Sequence, residues 1–393
     1  MKFLIITHVP HKLQNKQWFA YAPYVNEMNL WLKYVDEIEI LAPKSEENLE
    51  TIDTNYIHKH IKFTRIPAIA FISVKTTILS FFRIPFILLN IIVACNRADH
   101  IHLRCPGNIG LLGCFVQVFF PKKIKTAKYA GNWDSNSKQP LSYRIQKRLL
   151  SNVFWTRNIK VLVYGSWKNQ SKNIVPFFTA TYSKKEIEYN VESNLRSVRF
   201  KKKEEVLKDV RHSSFNRSVK KFLFVGTLTV GKRPILSVQV IHKLIKNGHN
   251  VHLDIYGEGE ERIIIEDYIK TNALSDNIIL HGNVSKCIIK QAFKTSDFLL
   301  FISKSEGWPK VVAEAMFWGC LPIASNVSCI PDMLDKGNRG AIVSSKKEDI
   351  VSTVERYLTN HEKYKMQVER AILWSRQFTI EKFENEISKF VKR

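Results

Sequence analysis

Short aliphatic runs near residues 2 to 6, 37 to 41, 99 to 103, 125 to 130 and 159 to 163 are separated by stretches with helical spacing, and the second half of the chain repeats the arrangement. Alternating strand and helix signals imply parallel sheets, because each parallel crossover needs a helix-sized connection that then covers a sheet face. A single core seldom grows beyond about 250 to 300 residues, so 393 residues predict two domains. A hydrophobic content of 45% is enough for two packed cores. The expected fold class is therefore α/β, with two facing doubly wound, Rossmann-like domains that bind ligands outside the carboxyl ends of their strands and share one cleft. The first domain is expected over 1–195, a basic linker containing Lys201-Lys202-Lys203 over 196–218, and the second domain over 219–374. In 375–393, Phe378, Ile380, Phe383, Ile387 and Phe390 recur near helical spacing, which predicts a C-terminal helix packing back on the first domain.

The segment Ser305-Glu306-Gly307-Trp308-Pro309-Lys310-Val311-Val312-Ala313-Glu314-Ala315-Met316 follows the apolar strand 298–302. Pro309 suits a first helical turn, and Val312, Ala315 and Met316 recur at helical spacing, so Glu314 sits inside a helix and Glu306 in the turn before it. Such a turn presents the amides of about Trp308 to Val311 at a positive helix end, suited to phosphate or sugar oxygens. Glu306 and Glu314 would accept hydrogen bonds from hydroxyls. The bare spacing of two glutamates favours a solvated helix face, and it is the surrounding pattern that shifts the reading.

The run SDFLLFISKSEGWPKVVAEAMFWGCLPIAS, from 296 to 325, strongly resembles the signature of family 4 retaining glycosyltransferases of the GT-B fold. Lys221-Phe222-Leu223-Phe224-Val225-Gly226-Thr227-Leu228, followed by Gly231-Lys232-Arg233-Pro234, is similar to that family's strand, Gly-Arg-Leu and Lys-Gly stretch. In the family the Arg and Lys bind the donor's diphosphate. Lys232 matches the Lys, Thr227 stands where the Arg is usual, and Arg233 is placed to compensate; lysine meets phosphate as a point charge and arginine as a bidentate fork. The strand and turn His252-Leu253-Asp254-Ile255-Tyr256-Gly257-Glu258-Gly259 resembles the family's Gly-x-Gly stretch, although tight turns need glycine whether or not they bind anything. The resemblance covers roughly 220–345 and implies transfer, with retention, of a sugar from a nucleoside diphosphate sugar to an acceptor hydroxyl. It implies that Glu306 orients the donor sugar and Glu314 the ribose, while the amides near Trp308 to Lys310 and Lys232 stabilise the diphosphate. No further cofactor is expected, and no metal, since the chain has no Asp-x-Asp.

The same resemblance places acceptor chemistry in the first domain. In Asp99-His100-Ile101-His102-Leu103-Arg104-Cys105-Pro106-Gly107-Asn108, Arg104 takes the position of the family's histidine and His102 lies two residues earlier on the same strand face. Arg104 there would stabilise the leaving diphosphate or hold an acidic acceptor; a strand-end histidine is also commonly a satisfied structural group. Gly131-Asn132-Trp133-Asp134 closes the next strand with an amide, an indole and a carboxylate, a mixture that suits carbohydrate. The loop Thr7-His8-Val9-Pro10-His11-Lys12 stands where many relatives carry a glycine-rich loop; it lacks glycine, so His8, His11 and Lys12 are candidates for donor or acceptor contact.

The formal net charge of +24 predicts an anionic partner or a lysine-rich surface without one. No zinc-finger spacing or RNA-binding aromatic signature is present, so nucleic acid is not expected. An anionic membrane surface fits better, because 66–96 mixes Phe71, Ile72, Phe81, Phe82 and Phe86 with Lys75 and Arg83, as a basic interfacial helix does. A helix pair packed on the sheet accounts for the same residues. The apolar run 84–95 is shorter than a span of about 20 residues. Six cysteines with no CxxC pair predict buried thiols in a reducing compartment. No export signal is expected at the N-terminus, so the location is cytoplasmic, or peripheral on the inner membrane face. A nucleotide-sugar epimerase and a degenerate, non-catalytic partner subunit are the rival readings, and the partners expected are a nucleotide-sugar donor and a glycan or lipid-linked acceptor.

Overall fold

Strands buried on both faces lose the alternation of polar and apolar residues, and Phe3 to Ile6, Phe222 to Phe224 and Phe298 to Phe301 are continuous apolar runs for that reason, whereas His100, His102, Lys125 and Lys128 are polar residues buried within strands. In the computed structural model, which describes residues 1–50, 52–71, 73–135, 137–187 and 218–391, the chain divides into two units, Met1–Thr179 with Lys382–Arg393 and Ala180–Glu381. The first unit thus stops short of the expected boundary at 195, and residues 196–217 of the expected linker lie outside the described residues. The terminal helix Ile380–Val391 joins the first unit from Lys382 onward, while 375–381 remain with the second.

In chain order the first unit contains β1 (Lys2–Ile6), β2 (Lys12–Gln14), β3 (Gln17–Tyr21), β4 (Glu37–Ala42), β5 (Asp53–Asn55), β6 (Ile61–Arg65), β7 (His100–Cys105), β8 (Ile124–Tyr129), β9 (Ile159–Tyr164) and β10 (Ile174–Phe177). Seven of them form a parallel sheet in the order β10-β9-β8-β7-β1-β4-β6. The second unit contains β11 (Lys220–Val225), β12 (Val251–Tyr256), β13 (Ile278–Gly282), β14 (Phe298–Phe301), β15 (Leu321–Ser325) and β16 (Ala341–Val343), parallel in the order β13-β12-β11-β14-β15-β16. Each unit has its own core, around Leu4, Ile6, Ile101 and Val161 in the first and around Phe222, Leu253, Phe298 and Leu321 in the second. Strand order reverses beside β1 in the first sheet and beside β11 in the second, so crevices open at the carboxyl ends of β1 and β7 and of β11 and β14.

The loop expected over Thr7 to Lys12 runs directly into a hairpin not expected from the sequence. β2, β3 and β5 make a small antiparallel sheet, and the two-residue turn between β2 and β3 holds Asn15 and Lys16 at φ of 50° and 63°. Positive φ at both central positions is the hairpin geometry that matches strand twist, and Lys16 in place of the usual glycine hides it from a reader of the sequence.

Three histidines lie in the first unit's interior. The Thr126 hydroxyl is 2.8 Å from His100 Nε2 and 2.8 Å from His102 Nδ1. With one proton to give, it donates to one ring and accepts from the other, an arrangement that suits two neutral imidazoles. His11 stacks on Tyr56 and reaches its hydroxyl at 2.9 Å. Burial lowers the pKa of His11 to about 4 and of His100 to about 3, and takes His102 well below the usual value. An unfolded histidine binds its proton near pH 6.5. Below that pH the unfolded chain holds more protons than the folded one, so each buried ring costs about 1.4 kcal/mol of stability per pH unit down to its own folded pKa. The melting midpoint should therefore fall between pH 7 and pH 5 in a calorimetric series, and a flat or rising midpoint would contradict the neutral assignment.

Candidate functional site

At the reversal point of the second sheet, two loops are tied together. The amide of Lys304, just past β14, donates to the Gly231 carbonyl at 2.8 Å. Lys232, the next residue in that loop, places its ammonium on the Glu306 carboxylate and over the Phe301 ring at 5.3 Å. The Glu306 side chain is 10% exposed and that of Lys232 30%, which leaves the pair reachable by a ligand yet poorly screened by water. Lys232 and Arg233 both donate their amides to the Thr229 carbonyl, at 2.9 and 3.1 Å. Arg233 then turns through φ 52° to start the helix Pro234–Lys246, with proline at the first helical position. Thr227, where the resemblance leads one to expect arginine, is exposed on the same loop.

Pro309 caps the helix Lys310–Trp318, which Gly319 ends in the left-handed conformation at φ 76°. Of the amides expected at this helix end, that of Lys310 is already bonded to the Trp308 carbonyl at 2.9 Å. The Gly307 carbonyl is fixed by the Ser328 hydroxyl at 2.8 Å. Gly307, Trp308 and Val311 are half-buried, as is Glu314 inside the helix. The Glu314 carboxylate accepts from the Thr181 hydroxyl at 2.7 Å, and Lys286 in turn holds the Thr181 carbonyl at 2.8 Å. Gly257 sits at φ +137°, where a Cβ would lie 1.9 Å from the Gly226 carbonyl oxygen. The Gly-x-Gly stretch is thus required by close backbone packing between the ends of β11 and β12.

At the reversal point of the first sheet, His8 lies just past β1 and Arg104 is the penultimate residue of β7. Arg104 Nη1 stands 3.8 Å from Glu27 Oε1, and its guanidinium lies over the Tyr24 ring at 5.3 Å. Neither Arg104 Nη1 nor Glu27 Oε1 makes a hydrogen bond, though both atoms are buried. His8 is exposed; crowding by its neighbours and the Arg104 charge lower its pKa. A Cβ on Gly107 would fall 2.6 Å from His8 Nδ1, so glycine there lets the imidazole rest on the backbone. Asn132 and Asp134 are half-buried, with the Asn132 side-chain oxygen accepting from the Asp134 amide at 2.9 Å.

Four expected site residues prove to be structural. His102 is fully buried, packed on Phe3 and Trp31 at 5.6 and 4.8 Å, so it cannot touch a sugar. The His11 ring is enclosed with Tyr56. Lys12 binds Asp53 at 2.9 Å and the Asn48 carbonyl at 2.8 Å, tying β2 down. Trp133 is 3% exposed and gives its indole N–H to Gln170 at 2.9 Å, so no ring face is offered to carbohydrate. Conversely, Glu27, Tyr24 and Thr181 join the two sites without having been singled out. Glu27 was findable, as a carboxylate on the helix face that also carries Tyr24, Met28 and Trp31. Among the described residues, no group of three or more His, Cys, Asp or Glu is placed to hold a metal ion.

Residues 207–374 match the family described as glycosyl transferases group 1. The chain is 21% identical over 342 residues to protein CapJ of Staphylococcus aureus, covering 82% of this chain and 75% of that protein. It is 32% identical over 163 residues to the O-antigen biosynthesis glycosyltransferase WbnH of Escherichia coli, covering 42% of this chain and 44% of that protein. A match to an uncharacterized glycosyltransferase of Methanocaldococcus jannaschii spans 39% of that protein's length. Among solved structures, HepE of Anabaena, in complex with UDP and glucose, superposes with a TM-score of 0.64 over 99% of this chain and 98% of that one, at 13% identity. The fold, two parallel-sheet Rossmann-like units, is that of GT-B glycosyltransferases.

Proposed function

We propose that this chain, which carries a glycosyl transferases group 1 domain over 207–374, is a glycosyltransferase that moves a sugar from a nucleoside diphosphate sugar to an acceptor hydroxyl with retention of configuration. The observation that carries the reading is the Lys232–Glu306 pair at the reversal point of the second sheet, the place where open α/β sheets bind their ligands. A diphosphate brought there competes with Glu306 for the Lys232 ammonium. The released carboxylate is then placed to accept from hydroxyls of the donor sugar. Lys232, Arg233 and the positive end of the helix Lys310–Trp318 supply countercharge as the leaving diphosphate forms. In this reading Glu314, whose carboxylate Thr181 orients, takes the ribose. The proton of the acceptor hydroxyl passes to the departing phosphate, so the reading assigns no protein base, in keeping with the burial of His102. Turnover without added divalent metal is part of the proposal, as is a role for Arg104, Glu27 and His8 in acceptor binding.

HepE binds UDP and WbnH acts in O-antigen biosynthesis; both support UDP-sugars as the donors to test first and a surface glycan or its lipid-linked precursor as acceptor. The test is thermal stabilisation by UDP-, GDP-, ADP- and CMP-sugars without metal. A ligand present at about 100 times its Kd adds about 2.7 kcal/mol. One nucleotide class should shift the midpoint alone, and the anomeric signal of the product should match that of the donor. A folded protein unmoved by every donor defeats the reading. Binding without turnover identifies a non-catalytic relative instead.

A further inference from the structure

The helix Val74–Arg97 runs for 24 residues, with a capping box of Ser73 and Thr76 at its start, in place of the helix pair weighed above; Ile72 lies outside the described residues. One stripe, Ile87, Ile91, Ala94 and Cys95, is wholly buried and belongs to the first unit's core. The opposite face is apolar and open to water. Phe82 is 79% exposed, Phe81 64%, Leu89 62% and Phe86 54%. Phe119, at the end of the neighbouring helical segment, is 77% exposed. The loop after it abuts the first helix, since Lys123 donates to the carbonyls of Asn96 and Ala98. From residue 54 to residue 179 the chain has 19 lysines and arginines, against only Asp99 and Asp134.

We infer that the face formed by Phe81, Phe82, Phe86, Leu89 and Phe119 docks the first unit onto an anionic lipid bilayer, with the helix Val74–Arg97 lying in the plane of the interface. The helix is long and apolar enough to cross a membrane, but crossing would strip Ile87, Ile91, Ala94 and Cys95 from the core that they complete. Lying flat buries the outer face among acyl chains and leaves the inner stripe in place. Charge selects the occupant: Lys125 and Lys128 are buried, but Lys75, Arg83 and Lys122 beside this face reach solvent, so a second copy would bring like charges together, whereas acidic head groups neutralise them. The inference does not depend on the sugar chemistry, and its test is read without turnover.

The experiment is flotation of the full chain with vesicles of phosphatidylcholine, with and without about 30 mol% phosphatidylglycerol. The wild type should rise with the anionic vesicles and bind the neutral ones less. Burying an aromatic side chain favours the apolar phase by roughly tenfold or more, so the double change Phe82→Asp, Phe86→Asp should weaken partitioning at least about tenfold with the melting midpoint unchanged. Phe119→Asp, on a separate element, should weaken it as well and serves if the double variant fails to fold. Lys122→Glu should matter on anionic vesicles only. Wild-type protein that stays unbound to both vesicles overturns the inference. So does a wild type that runs in solution at twice the mass of one chain while the aspartate variants run at the mass of one, since the face then belongs to a second copy.

Discussion

Lys232→Ala lowers kcat by about a hundredfold, a loss of about 2.7 kcal/mol of transition-state stabilisation, and Glu306→Gln does the same to within a few-fold. The two residues come from loops 74 positions apart, yet share one ion pair at the crevice between β11 and β14. Their effects differ in kind. In the proposed reaction the lysine meets charge that grows on the leaving diphosphate, so its loss is expected to fall on kcat. In the same proposal the glutamate binds hydroxyls that are present before and during transfer, so its replacement is expected to raise KM as well as lower kcat. Steady-state kinetics on folded variants separate the two. If the pair were only a strut between loops, both substitutions would lower the melting midpoint and leave kcat unchanged, and the catalytic assignment would fall.

Gly257→Ala costs the second unit about 4 kcal/mol, read as a drop of about 10 °C in the melting midpoint. Two penalties combine. The backbone at φ +137° is one that side chains rarely adopt, and the new methyl would stand 1.9 Å from the carbonyl oxygen of Gly226. That contact is backbone against backbone, so no rotamer relieves it; the ends of β11 and β12 must part. The amide of Gly226 is bonded to the Tyr256 carbonyl and that of Gly257 to Gly282, at 3.0 and 2.9 Å, and parting disturbs both. A midpoint within about 2 °C of wild type would show that the turn relaxes freely, contrary to this packing.

The alternation of strands and helices was legible because a parallel strand buried on both faces has to be a continuous apolar run, and Phe298–Phe301 and Leu321–Ser325 are fully buried throughout. The position of Lys232 and Glu306 was legible for a related reason: both sit in loops that follow strands whose ends the fold fixes. The first unit's site was read less well. His102 and Trp133 have chemistry that suits a sugar, but strand register turned His102 toward Thr126 and the core, and Trp133 found Gln170. No local pattern distinguishes a buried face from an open one when both sides of a strand are covered. Glu27 came to Arg104 across some 77 residues of sequence, a pairing that spacing alone does not disclose.

The first unit takes Met1–Thr179 and then Lys382–Arg393, while the second is the unbroken stretch between. Phe383 of the late segment covers the ammonium of Lys128, which is fully buried and also faces Tyr164 and Phe177. During synthesis Lys128 therefore leaves the ribosome together with Tyr164 and Phe177, while Phe383 follows only when the segment Lys382–Arg393 emerges. The second unit is complete before that moment and can fold on its own schedule. The last contribution to the first unit thus follows the whole of the second in synthesis, and a chain shortened before Lys382 would lack the Phe383 face over Lys128.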